Sequence, residues 1–236
     1  MRLFIFNGVE EDDKASAIEK LISQSTPSQD FFFMMALSIL MAVFGILLGS
    51  VAVIIGSMLI APLLSSVLSL SLGITMADYK LIRRSSQTIL KSLIIGIAIS
   101  ALATLIFGAG KIPEVLIINS SPSLLAVAVA IVAGFAATFA LVKPKLNETL
   151  PGVAIAVALI PPIALIGIGL AEMSWTMMTN ALILLGLNIA GIIFAGMITF
   201  SLMNFYTKKK VAEITVIKED RKLEAEEPKE KPDEDK

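Results

Sequence analysis

The sequence predicts an all-α membrane protein with six transmembrane helices. Hydrophobic residues make up 56% of the 236-residue chain, a composition typical of multi-pass membrane proteins. Asp, Glu, Lys and Arg are confined to short segments that separate long uncharged stretches. Because a helix needs roughly 20 apolar residues to cross the hydrocarbon core, these stretches predict a membrane domain over residues 30–207.

Six spans follow when the longest uncharged stretch is divided. Residues 31–77 are too long for one helix, and Gly49 with Ser50 provides a turn within them. The predicted spans are 31–48, 51–76, 92–109, 123–142, 150–170 and 178–205.

Lysine and arginine predict the orientation of these spans. They collect in alternate connections, from Lys80 to Lys91 after the second span and from Lys208 to Lys210 after the sixth, whereas the opposite connections contain only Lys111. Positively charged loops remain in the cytoplasm. We therefore expect a protein of the cell membrane with both termini in the cytoplasm.

The two ends of the chain are polar. Residues 1–29 predict a short cytoplasmic segment made of a strand, a turn and an amphipathic helix, at Leu3–Phe6, Asn7–Gly8 and around Lys14–Ile22. Residues 208–236 are predicted to form a charged cytoplasmic tail, in which residues 218–236 alternate acidic and basic side chains and include Pro228 and Pro232. That composition is typical of a solvated, disordered tail.

Nearly the same proline-containing phrase occurs twice, 100 residues apart, as LIAPL over Leu59–Leu63 and LIPPI over Leu159–Ile163. Proline lacks an amide donor and clashes with the carbonyl four residues back, so each phrase predicts a helix break. With three spans in each half, the second half has the opposite orientation to the first. Each break then lies about 17–18 Å into its span, near the bilayer midplane. The predicted architecture is a 3+3 inverted repeat with broken second and fifth helices, the pattern of secondary transporters. Chance remains the alternative, since proline is tolerated in membrane helices.

Polar groups near the breaks are the candidate site. Hydroxyl side chains recur at helical spacing after Pro62, and Asn180 and Asn188 are the strongest polar groups of the last span. Each can equally serve helix packing, so both interpretations stay open. The residues expected to line a solute site are Gly56, Ser57, Pro62, Ser65, Ser66, Pro161, Pro162 and Asn180.

Several kinds of chemistry are excluded by composition. The chain has no Cys and no His, so it lacks thiol chemistry and the commonest transition-metal ligands. Without a carboxylate pair in the predicted spans, a nucleophile and its activating base are hard to assemble. We predict no catalytic residue, no metal site, no cofactor and no enzymatic role. Proton pumping is disfavoured because it usually needs ionisable groups within the spans.

An ordered set of motifs resembles the DUF389 family of prokaryotic membrane proteins. The motifs are Val53–Leu63, Ser71–Gly73, Arg83–Ser85, Pro151–Pro162, Gly167–Ala171 and Thr179–Asn180. The resemblance extends from about Asp30 to about Phe205 and implies a multi-pass membrane domain. Many members of the family have a longer N-terminal region. A Gly-Pro pair often follows their second-span motif, where this chain has Ser65 and Ser66.

Two functions are compatible with these features. The leading hypothesis is a transporter or channel-like permease for a small solute or ion, surrounded by the lipid bilayer and assembled as a homo-oligomer. The alternative is a membrane scaffold or regulatory subunit that transports nothing, in which the breaks only permit tight packing. Nucleic acid is not an expected partner.

Overall fold

The computed structural model describes residues 10–108, 123–143, 146 and 159–226. Within these residues the chain is helical and contains no strand. The helices are α1 Glu11–Gln24, α2 Gln29–Leu47, α3 Val51–Ile60, α4 Leu63–Thr75, α5 Tyr79–Phe107, α6 Leu124–Val142, α7 Ile160–Ala171, α8 Trp175–Leu202 and α9 Lys209–Glu226, with a 3-10 turn at Phe205–Lys208 before α9.

Four helices, α2, α5, α6 and α8, are long and apolar enough to cross a membrane, and α3 with α4 forms a fifth candidate bent by 50°. The protein is therefore an all-helical, multi-pass membrane protein. The predicted span 150–170 lies partly outside the described residues, and its described part is the 12-residue apolar helix α7. The described residues thus contain four or five candidate spans, and the count of six stays a prediction.

The third predicted span is part of a longer helix. It was expected over 92–109, but α5 already begins at Tyr79 and runs for 29 residues. The side chain of Asp78 accepts a 3.1 Å hydrogen bond from the amide of Leu81 and caps the helix there. Charged residues can mark the edge of a membrane without ending a helix, so α5 continues past its apolar part.

Three connections between helices use the same tight corner. In each, the amide of the last turn residue donates to a glycine carbonyl five residues back: Ser50 to Gly45 at 2.8 Å, Asp78 to Gly73 at 2.9 Å and Ser174 to Gly169 at 2.8 Å. The residue before each donor has a positive φ, 64° at Gly49, 49° at Ala77 and 55° at Met173. These are Schellman-type helix ends. They fold α2 onto α3, α4 onto α5 and α7 onto α8.

The short helices α4 and α7 occupy corresponding places in the bundle. Each packs against both of the long helices α5 and α8. Helix α6 packs on α8, whereas α2 packs on α3, α5 and α7. The apolar core therefore runs between α5 and α8 and is filled largely by the two short helices.

The N-terminal helix has the predicted position, since α1 covers Glu11–Gln24. One side of α1 is apolar and buried, with Ala17, Ile18, Leu21 and Ile22 all at most 5% exposed. This side packs against the membrane bundle through α4 and α6 and against α9. The predicted strand and turn over residues 3–8 lie outside the described residues.

The disordered tail predicted from residue 208 is wrong over its first part, where the chain forms α9 from Lys209 to Glu226. Helix α9 packs against α1 and α5. Ala212 and Val216, four residues apart, are buried, and Asp220 follows them at the same spacing and pairs with cations of α5. With only two buried apolar residues among many charged ones, the sequence of α9 does not indicate that the helix packs on the bundle. Residues 227–236 lie outside the described part.

Candidate functional site

The break predicted in the second span separates α3 from α4. Helix α3 ends at Ile60 and α4 begins at Leu63. Ala61 is extended, with φ −70° and ψ 126°, as a residue before proline prefers. Pro62 is half-buried at the N-terminal cap of α4, where no side chain caps the helix. The break thus brings the C-terminal carbonyls of α3 beside the N-terminal amides of α4.

The second proline phrase lies at the start of α7. Leu159 precedes the helix, and Pro161 and Pro162 occupy its first turn. Proline suits this position because the first amides of a helix have no partner within the helix. Pro162 is buried and Pro161 is half-buried. Residues 147–158 lie outside the described part, so a broken fifth span stays a prediction.

The starts of α4 and α7 are level with each other along α5. A Cβ on Gly73 of α4 would lie 3.1 Å from the amide nitrogen of Ile82, and α4 runs antiparallel to α5 from that corner. Both helices rise by the same distance per residue, so ten residues back along α4 correspond to ten residues forward along α5. The start of α4 is therefore level with about residue 92 of α5. A Cβ on Gly96 of α5 would lie 2.9 Å from Ile163. Helix α7 runs parallel to α5, so it starts level with about residue 93.

The same comparison along α8 gives the same level. A Cβ on Gly169 would lie 3.0 Å from the amide nitrogen of Met178, so antiparallel α7 starts level with about residue 187. Gly196 contacts Ser71 of α4, and parallel α4 starts level with about residue 188. Both short helices therefore begin beside the middle of α8, where Asn188 is buried.

Polar side chains on four helices lie near this level. Ser92 of α5 is buried and donates to the carbonyl of Thr88 at 2.8 Å. Ser57 of α3 is buried and donates to the carbonyl of Ile54 at 2.6 Å. Asn188 of α8 is 5% exposed. Ser66 of α4 is fully buried, and its hydroxyl has no hydrogen-bond partner.

Not every predicted site residue joins this group. Gly56 is half-buried on α3, one turn before the break, whereas Ser65 turns toward α1 and donates to the side-chain oxygen of Gln24 at 3.3 Å. Asn180 lies near the corner between α7 and α8, eight residues and about 12 Å along the helix from Asn188. Asn180, and not Asn188, was predicted to line the site, and Ser92 was not predicted. Both Ser92 and Asn188 can be found by counting equal numbers of residues along the paired helices from the corners at Gly73 and Gly169.

The end of α1 covers the hydroxyl side of α4. The hydroxyl of Ser25 donates to that of Ser69 at 3.1 Å, and both residues are buried. Gln24 contacts Ser65 one turn earlier on α4. The side of α4 that was predicted to face a solute is therefore closed by α1 in this structure.

Charged contacts hold α1 and α9 to the corner between α4 and α5. Arg84 of α5 donates to the Thr26 hydroxyl at 3.1 Å and to the Val216 carbonyl at 3.4 Å, and it pairs with Asp220 at 3.3 Å. Lys209 donates to the Ala77 carbonyl at the corner itself, at 3.0 Å. The corner between α4 and α5 is therefore joined by polar contacts to the end of α1 and to α9.

A second ionic contact joins α1 to the segment before α9. Glu11 pairs with Lys14 at 2.7 Å and with Lys208 at 2.9 Å. Hydrogen bonds from Lys14, and then from Lys208, lower the pKa of Glu11 from 4.5 to about 2. The carboxylate therefore stays ionised across the physiological pH range.

Two cavities lie away from the helix starts. One of about 120 Å³ lies at the corner between α7 and α8, and another of about 250 Å³ lies in an open groove between α6 and α8. They are lined by Gly169, Leu170, Met173, Ser174, Trp175 and Met178, and by Phe135, Ala136, Phe139 and Thr199, respectively. Among the described residues no three His, Cys, Asp or Glu side chains cluster as metal ligands would.

Comparison with known proteins confirms the resemblance seen in the motifs. Residues 58–194 match the model of the family described as a domain of unknown function, DUF389. No curated protein and no solved structure matches the chain. The match spans more than half of the sequence, and the chain belongs to the DUF389 family.

Proposed function

We propose that this member of the DUF389 family is a permease of the cell membrane that carries a small solute or ion past the starts of α4 and α7. The observation that carries the proposal is that these two short helices begin at one level, beside Ser92 and Asn188. Secondary transporters bind their substrates where interrupted helices meet near the bilayer midplane. The proposal includes a homo-oligomeric assembly with cytoplasmic termini and no catalytic role.

Two reciprocal contacts support an internal repeat. Ser71 of α4 lies against Gly196 of α8, and Ser100 of α5 lies against Gly167 of α7. Position 71 plus 96 is position 167, and position 100 plus 96 is position 196. The same offset therefore converts each serine–glycine contact into the other. A two-fold relation exchanges contacts in this way. The inferred 3+3 inverted repeat therefore has an offset of 96, four residues less than the separation of the proline phrases.

Ser66 supports a polar site at the start of α4. Its buried hydroxyl has no partner, and an unpaired buried donor or acceptor costs about 1–3 kcal/mol. Helical side chains lean toward the N-terminus of their own helix, which directs this hydroxyl toward the break. A solute or water molecule bound there would relieve the cost.

Helix ends at the break suit a solute that carries charge or strong dipoles. The N-terminal ends of α4 and α7 carry partial positive charge, and the C-terminal end of α3 carries partial negative charge. Interrupted helices of transporters use the first kind of end for anionic groups and the second for cations. The site can therefore bind either kind of ion through backbone groups and hydroxyls.

Cysteine accessibility tests this proposal in a chain that has no native cysteine. Single cysteines at Ser57, Ser65, Ser66 and Asn188 are probed from each side of sealed proteoliposomes with a membrane-impermeant thiol reagent. We expect Ser57→Cys and Ser66→Cys to react, since both face the helix starts. The matched control Val67→Cys is as buried as Ser66 but packs in the apolar core, so it should not react. An exposed control, Lys210→Cys, reports which side is the cytoplasm.

Solute flux is the second test of the proposal. Replacing Pro62 or Pro162 with Ala restores an amide donor at a helix start and should reduce flux in a folded protein. Flux at the wild-type level in both variants would remove the helix starts from the pathway. Absence of labelling at Ser57 and Ser66, with Lys210→Cys reacting normally, would exclude a water-filled path.

A membrane scaffold is the second candidate, and a specific observation favours it. Helix α1 covers the hydroxyl side of α4, and the hydroxyl of Ser38 donates to the backbone of Ser57 at 2.6 Å. Hydroxyls that bond to neighbouring helices act as packing groups. The scaffold predicts a dry interior, so the same labelling experiment separates the two functions.

A further inference from the structure

Arg83, Gln87 and Lys91 form an exposed polar ladder along α5. They are spaced by four residues, so they lie on one side of the helix, one turn apart. All three side chains are exposed. Leu90 and Ile94, 58% and 59% exposed, continue this side into the apolar part of α5. The ladder therefore lies where an exposed polar surface meets an exposed apolar one.

The fold makes no use of the two cations in this ladder. Within the described part of the chain, Arg83 and Lys91 form no ion pair and no hydrogen bond through their side chains. Lys80 and Arg84 on the same helix both pair with Asp220, at 2.9 and 3.3 Å. One side of α5 is thus neutralised by α9, and the other retains its charge.

Lys91 lies beside the exposed apolar side chains of Leu90 and Ile94, which we expect to face lipid. A lysine in this position extends its ammonium along an apolar stem toward the lipid headgroups, which here means toward Gln87. Arg83 lies about 12 Å from Lys91 along the helix axis, on the polar side of Gln87. The two cationic side chains can therefore approach one phosphate beside Gln87.

We propose that Arg83, Gln87 and Lys91 bind the headgroup of an anionic phospholipid in the leaflet on the side of α1 and α9. The guanidinium of Arg83 and the ammonium of Lys91 contact the phosphate, and the amide of Gln87 donates to a neighbouring headgroup oxygen. The acyl chains lie along Leu90 and Ile94. This site faces the lipid and is separate from the helix starts.

Lipid titration of the full-length protein tests the proposal. The protein in detergent is titrated with phosphatidylglycerol or phosphatidylcholine of identical acyl chains, and bound lipids are counted by native mass spectrometry. We expect tighter binding of phosphatidylglycerol. Each basic residue near an anionic lipid contributes about fivefold in affinity, so Arg83→Gln/Lys91→Gln should weaken it about 25-fold.

A control variant separates the ladder from bulk charge. Lys218→Gln/Arg221→Gln, at two exposed positions of α9, has the same net charge as the ladder variant, and charges outside the site are screened, so it should retain its affinity to within about twofold. Equal losses in both variants, no loss in the ladder variant, or no preference for phosphatidylglycerol would each overturn the site. If millimolar inorganic phosphate displaced the bound phosphatidylglycerol, the site would bind free phosphate, and the assignment to a lipid would be overturned. If the double variant does not fold, the single variants must each show the fivefold loss.

Discussion

The hydroxyl of Ser100 on α5 donates a 2.7 Å hydrogen bond to the carbonyl oxygen of Ala164 on α7. Gly167, three residues along α7, lies against the same serine, and a Cβ there would be 2.6 Å from its hydroxyl oxygen. The corresponding contact of the other short helix joins Ser71 to Gly196. Small residues let membrane helices approach closely, and these two pairs determine how α4 and α7 lie against the long helices.

Adding one methyl group at either glycine is expected to destabilise the bundle. Gly167→Ala and Gly196→Ala should each lower the free energy of unfolding by about 1–3 kcal/mol, because the new Cβ overlaps a serine of the facing helix. Gly186→Ala on α8 is the matched control, since a Cβ there meets nothing within 4 Å. It should be neutral or stabilising by up to about 1 kcal/mol. Unfolding in detergent measures all three, and equal stability of the variants would contradict the packing.

Arg84 is expected to hold both terminal helices in place. Arg84→Gln removes the pairing with Asp220 and the contacts with Thr26 and Val216, so it should cost about 1–3 kcal/mol. Arg83→Gln, one residue earlier and exposed, should change stability by less than about 0.5 kcal/mol in detergent without anionic lipid. Limited proteolysis should cut α9 faster in the first variant only. Equal cleavage of both variants would show that Arg84 does not dock α9.

The long spans could be predicted because apolar length alone decides whether a segment crosses a membrane. That reasoning found α2, α6 and α8 nearly at their observed ends. It did not predict the start of α5, where a capping carboxylate at Asp78 begins the helix about four turns before its apolar part. It also failed for α9, because Ala212 and Val216 are too few to give a strong apolar signal.

The candidate site was predicted only in part, since sequence spacing does not show which neighbour covers a helix side. The serine stripe after Pro62 was found, but the contacts of Ser25 and Gln24 with it depend on the docking of α1. The level of the two helix starts depends on the glycine corners at Gly73 and Gly169, which fix the alignment of each short helix. Tertiary contacts decide both features.

Two buried serines are expected to respond oppositely to replacement by alanine. Ser66→Ala removes a hydroxyl that has no partner, so stability should be unchanged or rise by up to about 1 kcal/mol. Ser100→Ala removes the hydrogen bond to Ala164 and should cost about 0.5–1.5 kcal/mol. Unfolding in detergent compares the two variants. A loss at Ser66 as large as that at Ser100 would mean that the Ser66 hydroxyl has a partner.

Acid is expected to weaken the contact between α1 and the segment before α9. The pKa of Glu11 is about 2 in the folded protein, below its ordinary value of 4.5. A lowered folded pKa stabilises the protein above the unfolded value, and this contribution is lost as the pH falls from about 4.5 to 2. Glu11→Gln should remove this part of the pH dependence of the melting temperature. Glu19→Gln, exposed on the same helix, should retain it, and an unchanged profile in Glu11→Gln would contradict the pairing.

A disulfide between α1 and α4 is expected to form at the Ser25 and Ser69 positions. Their hydroxyl oxygens lie 3.1 Å apart and both residues are buried, so Ser25→Cys/Ser69→Cys should cross-link under mild oxidation in this cysteine-free chain. Ser23→Cys/Ser69→Cys is the control, because Ser23 is exposed on the other side of α1. If α1 must leave the hydroxyl side of α4 during transport, cross-linking should stop flux and reduction should restore it. A cross-linked protein with full flux would mean that the solute does not pass along this side of α4.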